Sequence, residues 1–142
     1  MSFQKTALGR LLCAAVALAA PLPALAEIPA GYPADYADIV AKAEAEGAVV
    51  IYANTEHAAV EPILADFQKA FPKIRADYIE IKAADLFSRV SSEAAAGALK
   101  ADVVWSSAMD LQYQMVEDGI AAPYASPETA ALPDWAHGDS IY

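Results

Sequence analysis

The chain has 142 residues, 57% of them hydrophobic, and its 19 acids against 9 Lys/Arg give a formal net charge of −10. That balance argues against a nucleic-acid partner, whose phosphates are met by clustered Lys and Arg. It leaves open a small anionic ligand, because a pocket can attract locally what the whole surface repels.

Residues 1–26 read as a secretory signal peptide. Lys5 and Arg10 come without an acid, Leu11 to Ala20 is apolar, and Ala24-Leu25-Ala26 offers a small-x-small cleavage site. The apolar run is shorter than the roughly 20 residues of a membrane-spanning helix. Leu12, not a small residue, precedes Cys13, so a lipoprotein signal is not expected. Cleavage after Ala26 leaves 116 residues, removes two of the nine Lys/Arg and no acid, and brings the net charge to −12. The mature chain then holds no cysteine for a disulfide or thiol site. Export without disulfides suits a bacterial periplasm.

Glu27 to Tyr36 is rich in Pro, Gly and Tyr and reads as an extended lead-in. A first helix is expected over 35–46, with Tyr36, Ile39, Val40 and Ala43 at helical spacing and Gly47 as its stop. Ala48 to Tyr52 is a β-branched run, expected to be a strand buried on both faces. A second helix follows over 58–71, with Val60, Ile63, Leu64, Phe67 and Phe71 on one side and Pro62 tolerated in its first turn. Arg75 to Lys82 alternates as a second strand, placing Ala76, Tyr78 and Glu80 opposite Asp77, Ile79 and Ile81. A third helix is read over 85–96, a third strand over 101–105 and a fourth helix over 108–118, with Gly97 and Gly119 as stops. Pro127, Pro133 and Trp135 punctuate a loop-like tail, and Ile141-Tyr142 resembles the start of a further strand, as in a fragment.

Repeated strand-loop-helix units predict an α/β fold with a mostly parallel sheet flanked by helices. Ligands of such sheets bind beyond the carboxyl ends of the strands. Three segments are expected on that rim: Asn54-Thr55-Glu56-His57, Ala83-Ala84-Asp85 and Ser106-Ser107-Ala108. The aromatic residues Tyr52, Phe67, Phe71, Phe87 and Trp105, with Met109, Leu111 and Met115, fit core periodicity.

Three chemistries compete at the rim. A serine nucleophile of the hydrolase type sits in G-x-S-x-G, whereas Ser106 and Ser107 lie between Trp105 and Ala108, with no fixed spacing to His57 or His137. Ser107-Ala108-Met109-Asp110 has the form of a capping box, so Ser107 is expected to cap the fourth helix, as Asn54 or Thr55 can cap the second. Such a helix start also presents free N–H groups to an anion. Glu56 and His57 are adjacent and lack the spacing of a metal site, so no metal and no cofactor is expected on this chain.

The stretch from Gly47 to Ile81, followed by Ala84 to Glu128 with "ADVVWSSAMDLQ" and "DGIAAPY", resembles the N-terminal lobe of periplasmic solute-binding proteins of bacterial ABC importers. Within them it is similar to the branch named for ferric iron, which also includes binders of phosphorylated or phosphonate solutes. The resemblance implies a periplasmic-binding-protein-like (type II) lobe over 27–142, incomplete, in a monomeric, non-enzymatic protein that captures a small solute for an inner-membrane ABC permease. Ferric binders of this family place a histidine after the first strand and a glutamate after the third. Here those positions hold Glu56, with His57 one step late, and Ser107. Asn54, Thr55, Ser106 and Ser107, with the backbone N–H of Ala108, instead suit a carboxylate, phosphate or phosphonate, and Glu56 a positive part of the same solute. The alternatives are a ferric-iron binder using other ligands and a secreted hydrolase with Ser106 or Ser107 as nucleophile.

Overall fold

The structure, a computed structural model, describes residues 31–133 and 135. Residues 1–26, read as a signal peptide, His137 and the closing Ile141-Tyr142 lie outside them. The elements follow the order α1 (Tyr36–Glu46), β1 (Ala48–Ala53), α2 (His57–Ala70), β2 (Arg75–Glu80), α3 (Ala83–Ala95), β3 (Val103–Trp105), α4 (Met109–Glu117) and a 3-10 turn, Pro127–Ala131. The three strands form one parallel sheet in the order β2-β1-β3. Among the described residues no helix is long and apolar enough to cross a membrane.

Strand register sorts the side chains onto two faces. Val50 and Tyr52 of β1 lie level with Asp77 and Ile79 of β2, and Tyr52 with Val104 of β3. On this face Tyr52, Leu86, Val90 and Met115 are buried together, so α3 and α4 pack here, with Ile79, Ile81 and Val104 against them. The opposite face carries Val49, Ile51 and Ala53, level with Ala76, Tyr78 and Glu80. There Tyr36 and Val40 of α1, Phe67 of α2 and Phe71 just past its end border a groove of about 270 Å³ beside Val49.

Local signals explain the boundaries. Gly47 ends α1 at φ 77, and its N–H donates to the Ala43 carbonyl at 2.9 Å. That left-handed turn is open to glycine without a Cβ clash. Gly97 and Gly119 follow α3 and α4 at φ 65 and 69. The alternation read in β2 also holds.

Several expectations are corrected. Burial of β1 on both faces is complete only at Tyr52 and Ala53, because β3 is short and α1 buries no residue fully. β3 starts at Val103 instead of Ala101, since the Asp102 side chain takes over: its Oδ2 accepts the Val50 N–H at 2.8 Å, while its N–H donates to the Val50 carbonyl. Pro62 falls in the second turn of α2, not the first, because the helix begins at His57. Trp105 and Met109 are 38% and 56% exposed, against the core reading. Helical spacing gives Met109 and Met115 no common face, and only Met115 turns inward.

A polar network crosses the main core. The Tyr52 hydroxyl donates to the Glu93 carboxylate at 3.0 and 3.2 Å, and the Arg89 guanidinium lies 4.3 Å from the centre of the Tyr52 ring. Arg89 Nε donates to Glu93 at 2.9 Å, and the Lys100 N–H donates to it at 3.1 Å. Burial, with the Glu93 hydrogen bond, pushes the Tyr52 phenol up. Arg89 above all holds the Glu93 carboxyl below its ordinary value. A depressed carboxyl stabilises the fold above the usual carboxylate range, near about pH 4.3, and that contribution is lost as pH falls through the folded value. Glu93→Gln is therefore expected to flatten the acid limb of stability against pH in urea titrations. Tyr52→Phe keeps the ring and removes the donor. It is expected to lower unfolding free energy by about 1.5–3 kcal/mol, the worth of a hydrogen bond to a charged group.

Candidate functional site

Because all three strands run parallel, the segments after Ala53, Glu80 and Trp105 emerge at one edge of the sheet. Two of them are tied directly. The Asn54 N–H donates to the Trp105 carbonyl at 3.2 Å, extending the β1–β3 ladder by one bond. Asn54 Nδ2 then donates to Ser107 Oγ at 3.0 Å, and the Ser107 N–H donates to Asn54 Oδ1 at 3.1 Å. The third segment, Ala83-Ala84-Asp85, forms the first turn of α3.

The serines divide their roles differently from the sequence reading. Ser106 is almost buried at 9% exposure. Its Oγ accepts the Ala108 N–H at 3.1 Å, and its carbonyl accepts from Gln112 Nε2. Ser107 does not cap α4: Ala108 occupies that position with no side-chain cap bond, and Ser107 pairs with Asn54 instead. The Ala108 N–H, expected to face ligand, is occupied by Ser106. Neither serine hydroxyl is bonded to a histidine among the described residues.

Neither Asn54 nor Thr55 caps α2. Glu56 stands at the cap position without a side-chain bond, and Glu80 Oε2 accepts the His57 N–H at 3.0 Å. A carboxylate at a helix start is favoured by the helix dipole. The Thr55 carbonyl accepts from the Tyr78 hydroxyl at 2.7 Å. Burial, then Glu80, pushes the Tyr78 phenol up, against the Thr55 bond that lowers it.

Tyr78 also joins a chain of rings. Its centroid lies 5.6 Å from His57 and 6.5 Å from Trp105, both edge to face. Tyr78 and Trp105 share the sheet face that holds Ala53, whose small side chain on the intervening strand leaves room for the rings to meet. Tyr78, Glu80 and Gln112 were missed as rim residues. Strand alternation put Tyr78 and Glu80 on one side, but only pairing of β2 beside β1 brings Glu80 level with Ala53.

The rim presents half-buried Thr55, exposed Ser107 and the exposed acid of Glu56, with Ser106 buried beside them, an arrangement that can bind a polar group from one side. Among the described residues no cluster of three His, Cys, Asp or Glu is placed to hold a metal ion. The larger cavity, about 550 Å³, is elsewhere, lined by Ser91, Ala94, Leu99 and Ile120 where α3 and α4 end.

Among solved structures, the substrate-binding protein of an ABC transporter from Agrobacterium tumefaciens matches 63% of this chain at 33% identity, with a TM-score of 0.60. The match takes in 26% of that protein, so the chain corresponds to about a quarter of its length. No family model matches the chain, and no curated protein does. The three-stranded parallel sheet with its flanking helices thus matches a fragment of a periplasmic-binding-protein-like fold, and the likeness supports the general class of transport binding proteins.

The two serines are separable by experiment. Ser106→Ala removes the acceptor for the Ala108 N–H at the start of α4 and is expected to destabilise the fold by about 0.5–2 kcal/mol, as loss of a helix-start acceptor does. Hydrogen exchange should quicken at Ala108 in that variant and at Ser107 in Asn54→Ala.

Proposed function

We propose that the chain supplies one wall of the solute site in the periplasmic binding component of an ABC importer, which captures a small anionic solute without converting it. The carrying observation is the pair of rim loops fastened together by Asn54 and Ser107, with serine hydroxyls beside the start of α4. The likeness to a transporter's substrate-binding protein supports the transport role.

In this reading residues 1–26 direct export, and the solute is a carboxylate, phosphate ester or phosphonate. Thr55, Ser106 and Ser107 donate hydrogen bonds to it, and Glu56 faces any positive group on the same molecule. A second lobe closes over the solute by a hinge motion, and the closed complex docks on the inner-membrane permease. Preformed loops favour binding because little ordering remains to be done when solute arrives. Each serine oxygen already holds a structural partner instead of a base, which favours binding over hydrolysis.

Thermal unfolding of the full-length protein against phosphorylated sugars, phosphonates, carboxylates and Fe(III) tests this. A true solute at one hundred times its Kd is expected to add about 2.7 kcal/mol of stability. A shift with Fe(III) and a visible colour, without a shift from any anion, overturns the anion reading. Turnover of an ester that vanishes in Ser106→Ala or Ser107→Ala overturns the non-catalytic one.

A further inference from the structure

We infer that Asn54 is a polarity-setting residue: it orients the Ser107 hydroxyl so that its proton is left for the solute. This rests on the reading of the rim as an anion site. It reassigns Asn54 from touching the ligand to preparing a neighbour that does.

One group in this pair has no choice of role. The Ser107 backbone N–H can only donate, so the Asn54 atom 3.1 Å from it is the amide oxygen. The amide nitrogen then faces Ser107 Oγ at 3.0 Å and can only donate in turn. One lone pair of that hydroxyl is filled, and its proton is excluded from the Asn54 side. Ser107 is exposed, so the proton is directed to solvent or to a bound molecule. The backbone bond from the Asn54 N–H to the Trp105 carbonyl fixes the main chain from which that amide projects, and the two bonds to Ser107 hold the amide itself.

An aspartate of the same shape reverses this logic. The Asn54→Asp carboxylate still accepts the Ser107 N–H, but it also accepts the Ser107 hydroxyl proton. Only lone pairs then face outward, and an anion meets an acceptor.

The test is a double-mutant cycle on the full-length protein, titrated with inorganic phosphate, methylphosphonate and acetate at high salt to screen the added charge. Asn54→Asp is expected to weaken the best of these anions about ten-fold or more, as loss of one hydrogen bond to a charged group does. In a Ser107→Ala background the same change should weaken it about three-fold or less. Equal losses in both backgrounds overturn the assignment. A ligand-free arm reads the Asn54 side-chain NH₂ protons by NMR. They should be protected from exchange in the wild type and lose protection in Ser107→Ala; unprotected protons in the wild type also overturn it. If the wild type binds none of the anions, the solute reading falls, and the clasp itself is judged by the exchange arm.

Discussion

Strand β3 has three residues, and the rim depends on what pins it against β1. Such a short ladder contributes few backbone bonds of its own. Side chains supply the rest at both ends. Before the strand, Asp102 accepts the Val50 N–H and Glu93 accepts the Lys100 N–H. After it, Asn54 and Ser107 exchange two bonds. The Asp102 and Asn54–Ser107 anchors join residues more than 50 apart in sequence, so they close long loops and fix the position from which α4 departs. If β3 slipped by one residue, Trp105 and Val104 would exchange faces, and Ser107 would lose its partner.

The same economy appears at α2. Its first N–H is met by Glu80 from the neighbouring strand, so correct pairing of β1 with β2 is a condition for a well-formed helix start. Tyr78, two residues earlier, bonds the Thr55 carbonyl and sets the course of the connecting loop. The rim is therefore assembled from the sheet outward. The geometry of its loops is inherited from strand register.

Much of this architecture was legible. Glycines at 47, 97 and 119 marked helix ends, and the alternation over 75–82 put Ile79 and Ile81 on one side, the side that meets the core. What escaped reading was which polar side chain serves which backbone group. A serine three residues before an acid satisfies the local capping pattern, yet Ser107 is taken by an asparagine 53 residues away, and Asp110 is left in the first turn of α4. Local patterns rank partners within a turn of helix, whereas a parallel sheet delivers competitors from other strands. Trp105 failed for a related reason. Its place in an apolar strand fitted core periodicity, but among the described residues β3 pairs only with β1.

That open side bears on how the site works. Val103 and Trp105 project from β3 at 44% and 38% exposure, on the face opposite the main core, and Ile39 of α1 and Ile63 of α2 are more than half exposed. The polar rim begins where this apolar surface ends, with Ser106 following Trp105 at the close of β3. Packing against Trp105 would bear on the ring chain through Tyr78 to His57, and so on the loop that carries Asn54. Any body packed on β3 would thereby press on the loops of the rim. A short strand held by a few side-chain anchors can pass such a displacement to the rim without requiring the sheet itself to deform.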